Sequence, residues 1–404
     1  MKTLFKNYLI TFQGLSREVW WLALITLINR AGTMVIPFLS LYLTEDLNFT
    51  YKEVGWIMTS FGIGSVLGTW LGGKLTDIIG YYKVMVFSLL VTGFLFIGLQ
   101  YQTTFASLCI GIFILMLVAD LFKPAMFVAL SAYSKPENKT RSVTLIRLAI
   151  NLGFSAGPAI GGLIIATLGY GGLFWVDGIT CIVATMVLFK VLNPRSTQVQ
   201  DDITSENPVS AYRDRAFMIF FFALVIFGVV FLQYFSPMTI YYREVHLLTE
   251  QQVGLLLGFN GLFIFLFEMP LISWLEKRNY GKVELILFGA FLTGLSFIIL
   301  NLTAWTGILI IGMFLMTVGE MIAFPFANAF AMERAKRGNQ GEYMALYVMS
   351  FSLASIFGFN IGLQMVAGIG FDHTWTIMAL LSMLCVLMLY VLKFYLRRNG
   401  QVGS

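Results

Sequence analysis

Charge is scarce in this chain: only 12% of its 404 residues are Asp, Glu, Lys or Arg, and it has three cysteines, two histidines and nine prolines. So few charges cannot keep the surface of a soluble globule of this length wet, which excludes that class. Cys109, Cys181 and Cys385 all fall inside apolar stretches, which argues against a disulfide framework or a metal site. His246 and His373 fall in expected loops and are too few for a zinc cluster. No Gly-x-x-x-x-Gly-Lys-Ser/Thr loop is present to bind a nucleotide, and no His-Glu-x-x-His to bind zinc. With neither metal ligands nor a nucleophile–base set, nothing marks an enzyme, and no cofactor is expected.

What fills the sequence is apolar: 58% hydrophobic and 16% aromatic residues, with a mean hydropathy of +0.82. Stretches of the ~20 residues needed to cross a bilayer recur at 19–44, 53–76, 83–102, 104–133, 143–168, 172–192, 216–242, 252–275, 283–303, 305–332, 343–369 and 374–396. The expectation is an all-α membrane protein with twelve transmembrane helices. The first stretch contains Arg30 and Pro37 and no small-residue cleavage pattern follows it, so a retained helix is expected rather than a signal peptide. All loop cations except Lys52 and Arg243 fall on one side, which places both termini in the cytoplasm of a bacterial inner membrane. The net charge of +5 then reflects topology and contact with anionic lipid, and nothing suggests nucleic acid.

The chain repeats itself. Ile114 to Pro124 carries Asp120 and Lys123 in an apolar run, and two hundred residues later Leu315-Met316-Thr317-Val318-Gly319-Glu320 puts a carboxylate at the same place, followed by Pro325. Pro37 to Tyr42 is echoed by Pro237 to Tyr242, Val54-Gly55 by Val253-Gly254, and Asp77 with Lys83 by Glu276 with Lys282. Two pseudo-symmetric six-helix bundles follow, residues 1–193 and 215–404, joined by a polar cytoplasmic linker at 194–214. Duplicated bundles are an architecture of secondary transporters, with the site near mid-membrane at the repeat interface.

Charge inside the spans costs roughly 2.5–3.5 kcal/mol per residue even on the lenient insertion scale. The buried set is Arg30, Lys123 and Arg147 against Asp120, Glu268 and Glu320, a balance suited to paired networks. Asp177, nearer a helix end, reads as a structural cap or gate residue. Asn151, Gln233, Asn260 and Asn328 are the candidate polar contacts of a substrate cavity. Small residues four apart in Gly153, Gly157, Gly161 and Gly162, with Pro158 between them, predict close helix packing and a bend.

Several of these stretches resemble the major facilitator superfamily. Gly73, Leu75, Asp77 and Gly80 match its Gly-x-Leu-Ala-Asp-Arg-x-Gly-Arg-Lys loop, with Ile78 and Tyr81 in place of arginines and Lys83 near the end. The resemblance implies the major facilitator fold, and for this loop the role of a cytoplasmic latch between the bundles. Gly153 to Gly162 resembles the signature of the antiporter branch, although Thr144 replaces its earlier glycine, and Gly319-Glu320 with Pro325 resembles the twelve-span multidrug/proton antiporters. These imply a proton-coupled secondary carrier working by alternating access, monomeric, driven by the proton gradient and exporting amphipathic small molecules. Glu320, Asp120 and Glu268 are then the proton-coupling candidates. A rival resemblance, to the proton-coupled oligopeptide transporters, rests on Arg30, Phe122-Lys123-Pro124 and Ala149 to Gly153, and implies uptake of di- and tripeptides or related metabolites.

Overall fold

A computed structural model describes residues 14–134, 139–192, 209–278, 280–303, 305–335 and 340–398, and among these there is helix and no strand. The helices are α1 (Arg17–Ala31), α2 (Val35–Leu41), α3 (Tyr51–Ile79), α4 (Tyr81–Leu99), α5 (Phe105–Ala119), α6 (Phe122–Tyr133) and α7 (Lys139–Val191), then α8 (Arg215–Leu232), α9 (Pro237–Glu244), α10 (Glu250–Glu276), α11 (Lys282–Leu300), α12 (Ile308–Ala335) and α13 (Gln340–Arg398). Among the described residues ten helical stretches are long and apolar enough to cross a membrane. Two of them belong to α7 and α13, of 53 and 59 residues. At 1.5 Å per residue α7 alone would run ~80 Å, against ~30 Å of hydrocarbon. Each contains one glycine off the helical path, Gly169 at φ 71° and Gly370 at φ 78°. The loops expected at 169–171 and 370–373 are therefore single-residue kinks, and His373 lies in helix rather than in a loop.

Three expected spans break in the middle, each near a proline. A proline lacks the N–H for the carbonyl four residues back and disfavours helix at the residue before it. Pro37 follows the gap at Gly32–Met34 between α1 and α2, Pro124 follows the gap at Asp120–Leu121, and Pro237 follows Ser236, whose φ of −142° ends the helical path. Other groups cover the freed backbone. Ser88 Oγ donates to the carbonyls of Val118 (2.7 Å) and Ala119 (3.3 Å), and Gln233 Nε2 donates to those of Val229 (2.7 Å) and Gly358 (2.8 Å).

The described chain falls into two compact units, each made of separated stretches: Met1–Phe38, Ile63–Gln200 and Glu250–Leu262 in one, Leu39–Gly62, Asp201–Thr249 and Phe263–Ser404 in the other. In the first, Gly64, Gly68 and Gly72 of α3 form a stripe against α5. A Cβ on them would come within 2.4 Å of the Phe113 carbonyl, 2.3 Å of the Leu117 carbonyl and 2.8 Å of Leu121. Gly68→Leu has no space to enter and is expected to destabilise the protein by about 1–3 kcal/mol, the usual range for overpacking. A detergent-solubilised sample should melt several degrees lower; an unchanged melting temperature would show that α3 and α5 do not meet there.

In the second unit, the first half of α3 packs on α13. A Cβ on Gly62 would lie 2.7 Å from Ile356, the Phe61 and Phe359 rings meet edge to face at 5.8 Å, and Asn360 Nδ2 donates to Thr59 Oγ1 at 2.8 Å. Its core is aromatic, with Phe217 against Tyr343 (4.6 Å between ring centres) and Phe220 against Phe330 (4.7 Å). Gly289 and Gly319 bring α11 and α12 together, each lacking the Cβ that would strike the other's carbonyl at 2.6–2.7 Å.

Candidate functional site

The gap between α5 and α6 holds the carboxylate that the sequence singled out. Asp120 ends α5 as its C-cap and is 4% exposed. Its Oδ2 takes the Lys123 ammonium at 2.8 Å and a short hydrogen bond from the Ser65 hydroxyl. Ser65 sits beside Gly64, so the stripe that lets α3 close on α5 also delivers this hydroxyl. Asp120 is thus held at three-residue spacing by its own chain and again by α3, while the Lys123 side chain remains 38% exposed.

Arg30 lies at the end of α1, its guanidinium carbon 5.6 Å from the centre of the Phe154 ring. Gly153 and Gly157 of α7 face it: a Cβ at Gly153 would sit 2.5 Å from Arg30 Cβ, and one at Gly157 would sit 3.2 Å from the Ala31 carbonyl. Gly161 continues the same face toward Met34 and Phe38. The opposite face of the run meets α10. Gly162 lies against the Glu250 carbonyl, the Pro158 carbonyl against Gly254, and Ser155 against Gly261, with Ser155 Oγ donating to the Gly258 carbonyl at 2.8 Å. One small-residue segment therefore grips two helices. The run Gly153-Phe154-Ser155-Ala156-Gly157 also has the spacing of a hydrolase nucleophile elbow. It lies inside a helix rather than at a strand-to-helix turn, and its serine is committed to Gly258.

The cap role expected of Asp177 is visible. It is fully buried, and its two oxygens accept from the backbone N–H groups of Met34 (3.0 Å) and Val35 (2.8 Å), where α2 begins. Thr180, one turn on, fills the space that a side chain at Gly32 would need.

In the second unit Glu320 is half-buried on α12, next to the Gly319 contact with α11, and Gln233 is buried at the break before Pro237. Glu268, 5% exposed, lies on α10 two residues before Pro270, and Asn328 is half-buried on α12. In the first unit Arg147 and Asn151 are half-buried on α7 and Asn260 is buried on α10.

The stretch expected to be a loop at 73–83 is mostly helix. Gly73 to Ile79 finish α3, Tyr81 to Lys83 start α4, and Gly80 alone turns the chain, at φ 86° where an L side chain would be strained. Lys83 is exposed, and the Asp77 side chain lies outside the described residues. Residues 194–208 of the expected linker 194–214 lie outside them too.

An ionic cluster that sequence reasoning passed over ties three helices of the second unit. Asp214 caps α8 through the N–H groups of Ala216 and Phe217. It takes Arg334 of α12 in two bonds, at 2.6 and 2.7 Å, and the Tyr343 hydroxyl of α13 at 3.0 Å. Burial alone would push its pKa up, but the Arg334 bonds and charge, with the backbone N–H and Tyr343, hold the carboxyl below its ordinary value. The signal was there, an Asp directly before an apolar run, which is the mark of an N-cap.

Comparison with known proteins agrees with these helices. The sequence matches the Major Facilitator Superfamily over residues 22–359 and 247–402. It is 22% identical to the Na(+), Li(+), K(+)/H(+) antiporter of Planococcus maritimus across 93% of this chain and 95% of that protein. It is 23% identical to the MFS-type transporter YttB of Bacillus subtilis (strain 168) across 93% and 94%. Among solved structures, a peptide transporter POT in complex with sulfate superposes with a TM-score of 0.81 at 16% identity, covering 96% of each chain. A POT family transporter in complex with 5-aminolevulinic acid gives 0.78 at 17%, covering 94% of this chain and 96% of that one. Apolar helices broken at prolines, charges held inside them and a family match along nearly the whole length lead to one conclusion: the chain belongs to the Major Facilitator Superfamily and is a membrane transporter, not an enzyme.

Proposed function

We propose that this transporter is a proton-coupled secondary carrier that exports amphipathic small molecules in exchange for protons. The observation that carries this reading is a set of carboxylates inside apolar helices, Asp120 and Glu268 buried and Glu320 half-buried. Titratable groups at that depth are costly and are found where ions or protons are moved. Asp120 is held by Lys123 on its own chain and by Ser65; Glu320, in the Gly319-Glu320 and Pro325 pattern that resembles the proton antiporters, is the first candidate for coupling and Glu268 the second. The relative from Planococcus is named as a proton antiporter, which supports exchange over co-transport.

The same reading takes α7 and α13 as two crossings each, divided at Gly169 and Gly370, so that ten stretches become twelve helices. It assigns them to bundles 1–193 and 215–404 that rock by alternating access around a cavity to which Asn151, Gln233, Asn260 and Asn328 contribute. Gly73, Asp77, Gly80 and Lys83 serve as the latch. Both termini face the cytoplasm of a bacterial inner membrane, the working unit is a monomer, and the proton gradient replaces any cofactor. A second reading, proton-driven uptake of small peptides, is favoured by the partly exposed ammonium of Lys123 beside Pro124.

Proteoliposomes with an imposed pH gradient separate the two, with a cationic dye, a labelled dipeptide and sodium assayed in parallel. Dye moving against the proton flow is the expected result. Dipeptide moving with the protons would favour uptake, and sodium exchanging for protons would make the cation itself the substrate. Transport of all three indifferent to the gradient would overturn proton coupling.

A further inference from the structure

Two tryptophans in the C-terminal parts of long helices, Trp70 nine residues before the end of α3 and Trp274 two before the end of α10, each carry a cation on the indole ring. Lys74 Nζ stands 3.9 Å from the ring centre of Trp70 near the end of α3, and the Arg278 guanidinium carbon stands 5.2 Å from that of Trp274 just past the end of α10. Both sites read Trp-Leu-x-x-cation, and four residues is the spacing that stacks one side chain over another along a helix. The rings are 55% and 51% exposed, so neither is a core residue. At the end of a membrane-crossing helix an exposed indole lies at headgroup level, its face in the hydrocarbon boundary and its edge toward water.

Two other cations near helix ends show the alternative. Lys282 is paired with Glu333 at 2.8 Å, and Lys393 with Glu284 at 2.8 Å, so both are neutralised within the protein. Among the described residues Lys74 and Arg278 have no ion pair; each lies on a ring, which fixes its position without cancelling its charge. A fixed positive charge beside a flat apolar surface complements one common ligand, an anionic phosphodiester attached to an acyl glycerol.

We propose that Trp70–Lys74 and Trp274–Arg278 are two separate binding sites for anionic phospholipid. The cation takes the phosphate and the indole packs on the glycerol and upper acyl chain. The assignment rests on the chain being a membrane protein and is independent of substrate or coupling ion.

The test is native mass spectrometry of the purified full chain titrated with phosphatidylglycerol or phosphatidylcholine. Wild type should retain phosphatidylglycerol preferentially at two sites. Lys74→Gln and Arg278→Gln should each weaken one site about fivefold, the contribution of a single surface cation. Trp70→Leu and Trp274→Leu should weaken the same sites while keeping apolar bulk, whereas Lys74→Arg and Arg278→Lys should retain them. Melting temperatures close to wild type would confirm that the variants fold. Inorganic phosphate at matched concentration should not displace the lipid, since the indole contributes nothing to its binding; displacement would make these plain anion sites. No preference for phosphatidylglycerol in wild type, or full preference in the Lys74→Gln/Arg278→Gln double variant, would overturn the proposal.

Discussion

Replacing Glu320 with glutamine is expected to abolish uphill transport while substrate binding and downhill exchange survive. A carboxyl that alternates between a dry and a wet surrounding changes its proton affinity, because burial disfavours the charged form while water and nearby cations favour it. A glutamine fills the same volume and keeps hydrogen-bonding capacity but cannot exchange a proton. Glu320 stands half-buried on α12, beside a glycine contact that fixes its helix against α11. Asp120 is less suited to coupling, since Lys123 lies three residues away on the same chain and Ser65 closes the other side, so its partners travel with it. Removing Asp120 should instead damage packing between α3, α5 and α6, and lower the amount of folded protein. The measurement is substrate accumulation in vesicles under an imposed pH gradient, beside equilibrium binding of the same substrate. A Glu320→Gln variant that still concentrates substrate would pass the coupling role to Glu268 or Asp120.

Patterns of residue type survive translation into structure better here than patterns of continuity. Apolar length gave the membrane helices, and the four-residue spacing of Gly153, Gly157 and Gly161 foretold a close approach that the structure places against Arg30, Met34 and Phe38. Continuity misled, because hydropathy does not register the loss of one N–H. The run 19–44 is apolar enough throughout to be taken as one span, yet it breaks at Gly32–Met34 and restarts on a carboxylate 143 residues away, Asp177. Hydropathy likewise expected loops at 169 and 370, where one glycine in a left-handed conformation suffices. Ser65 gave no warning of its own, since a lone serine in an apolar helix ordinarily bonds back to its own backbone. The stripe Gly64, Gly68, Gly72 is the sequence feature that accompanies it, but a stripe marks close packing and not which helix is the neighbour; the structure supplies that.

Arg334→Ala is expected to have the largest effect on stability of any single change outside the apolar core. Arg334 and Asp214 side chains are 8% and 5% exposed and share two hydrogen bonds, so truncating the arginine leaves a carboxylate buried beside the start of α8 with only backbone N–H groups and Tyr343 for company. Breaking such a pair costs about 3–5 kcal/mol, most of it the price of the stranded charge. Asp214→Asn keeps an oxygen for the helix cap but leaves the Arg334 guanidinium buried without the Asp214 anion, so it too should be destabilising. The double variant Asp214→Asn/Arg334→Ala should be more stable than Arg334→Ala alone. Acid supplies an independent check. The Asp214 carboxyl is held below its ordinary value, so its contribution is complete above the unfolded-state value of about 3.9. It is lost as pH falls further, through the folded-state value. Wild type should lose melting temperature below about pH 4, and Asp214→Asn should lose less over the same interval. Equal melting temperatures for wild type and Arg334→Ala at neutral pH would mean that α8, α12 and α13 are held together without this cluster.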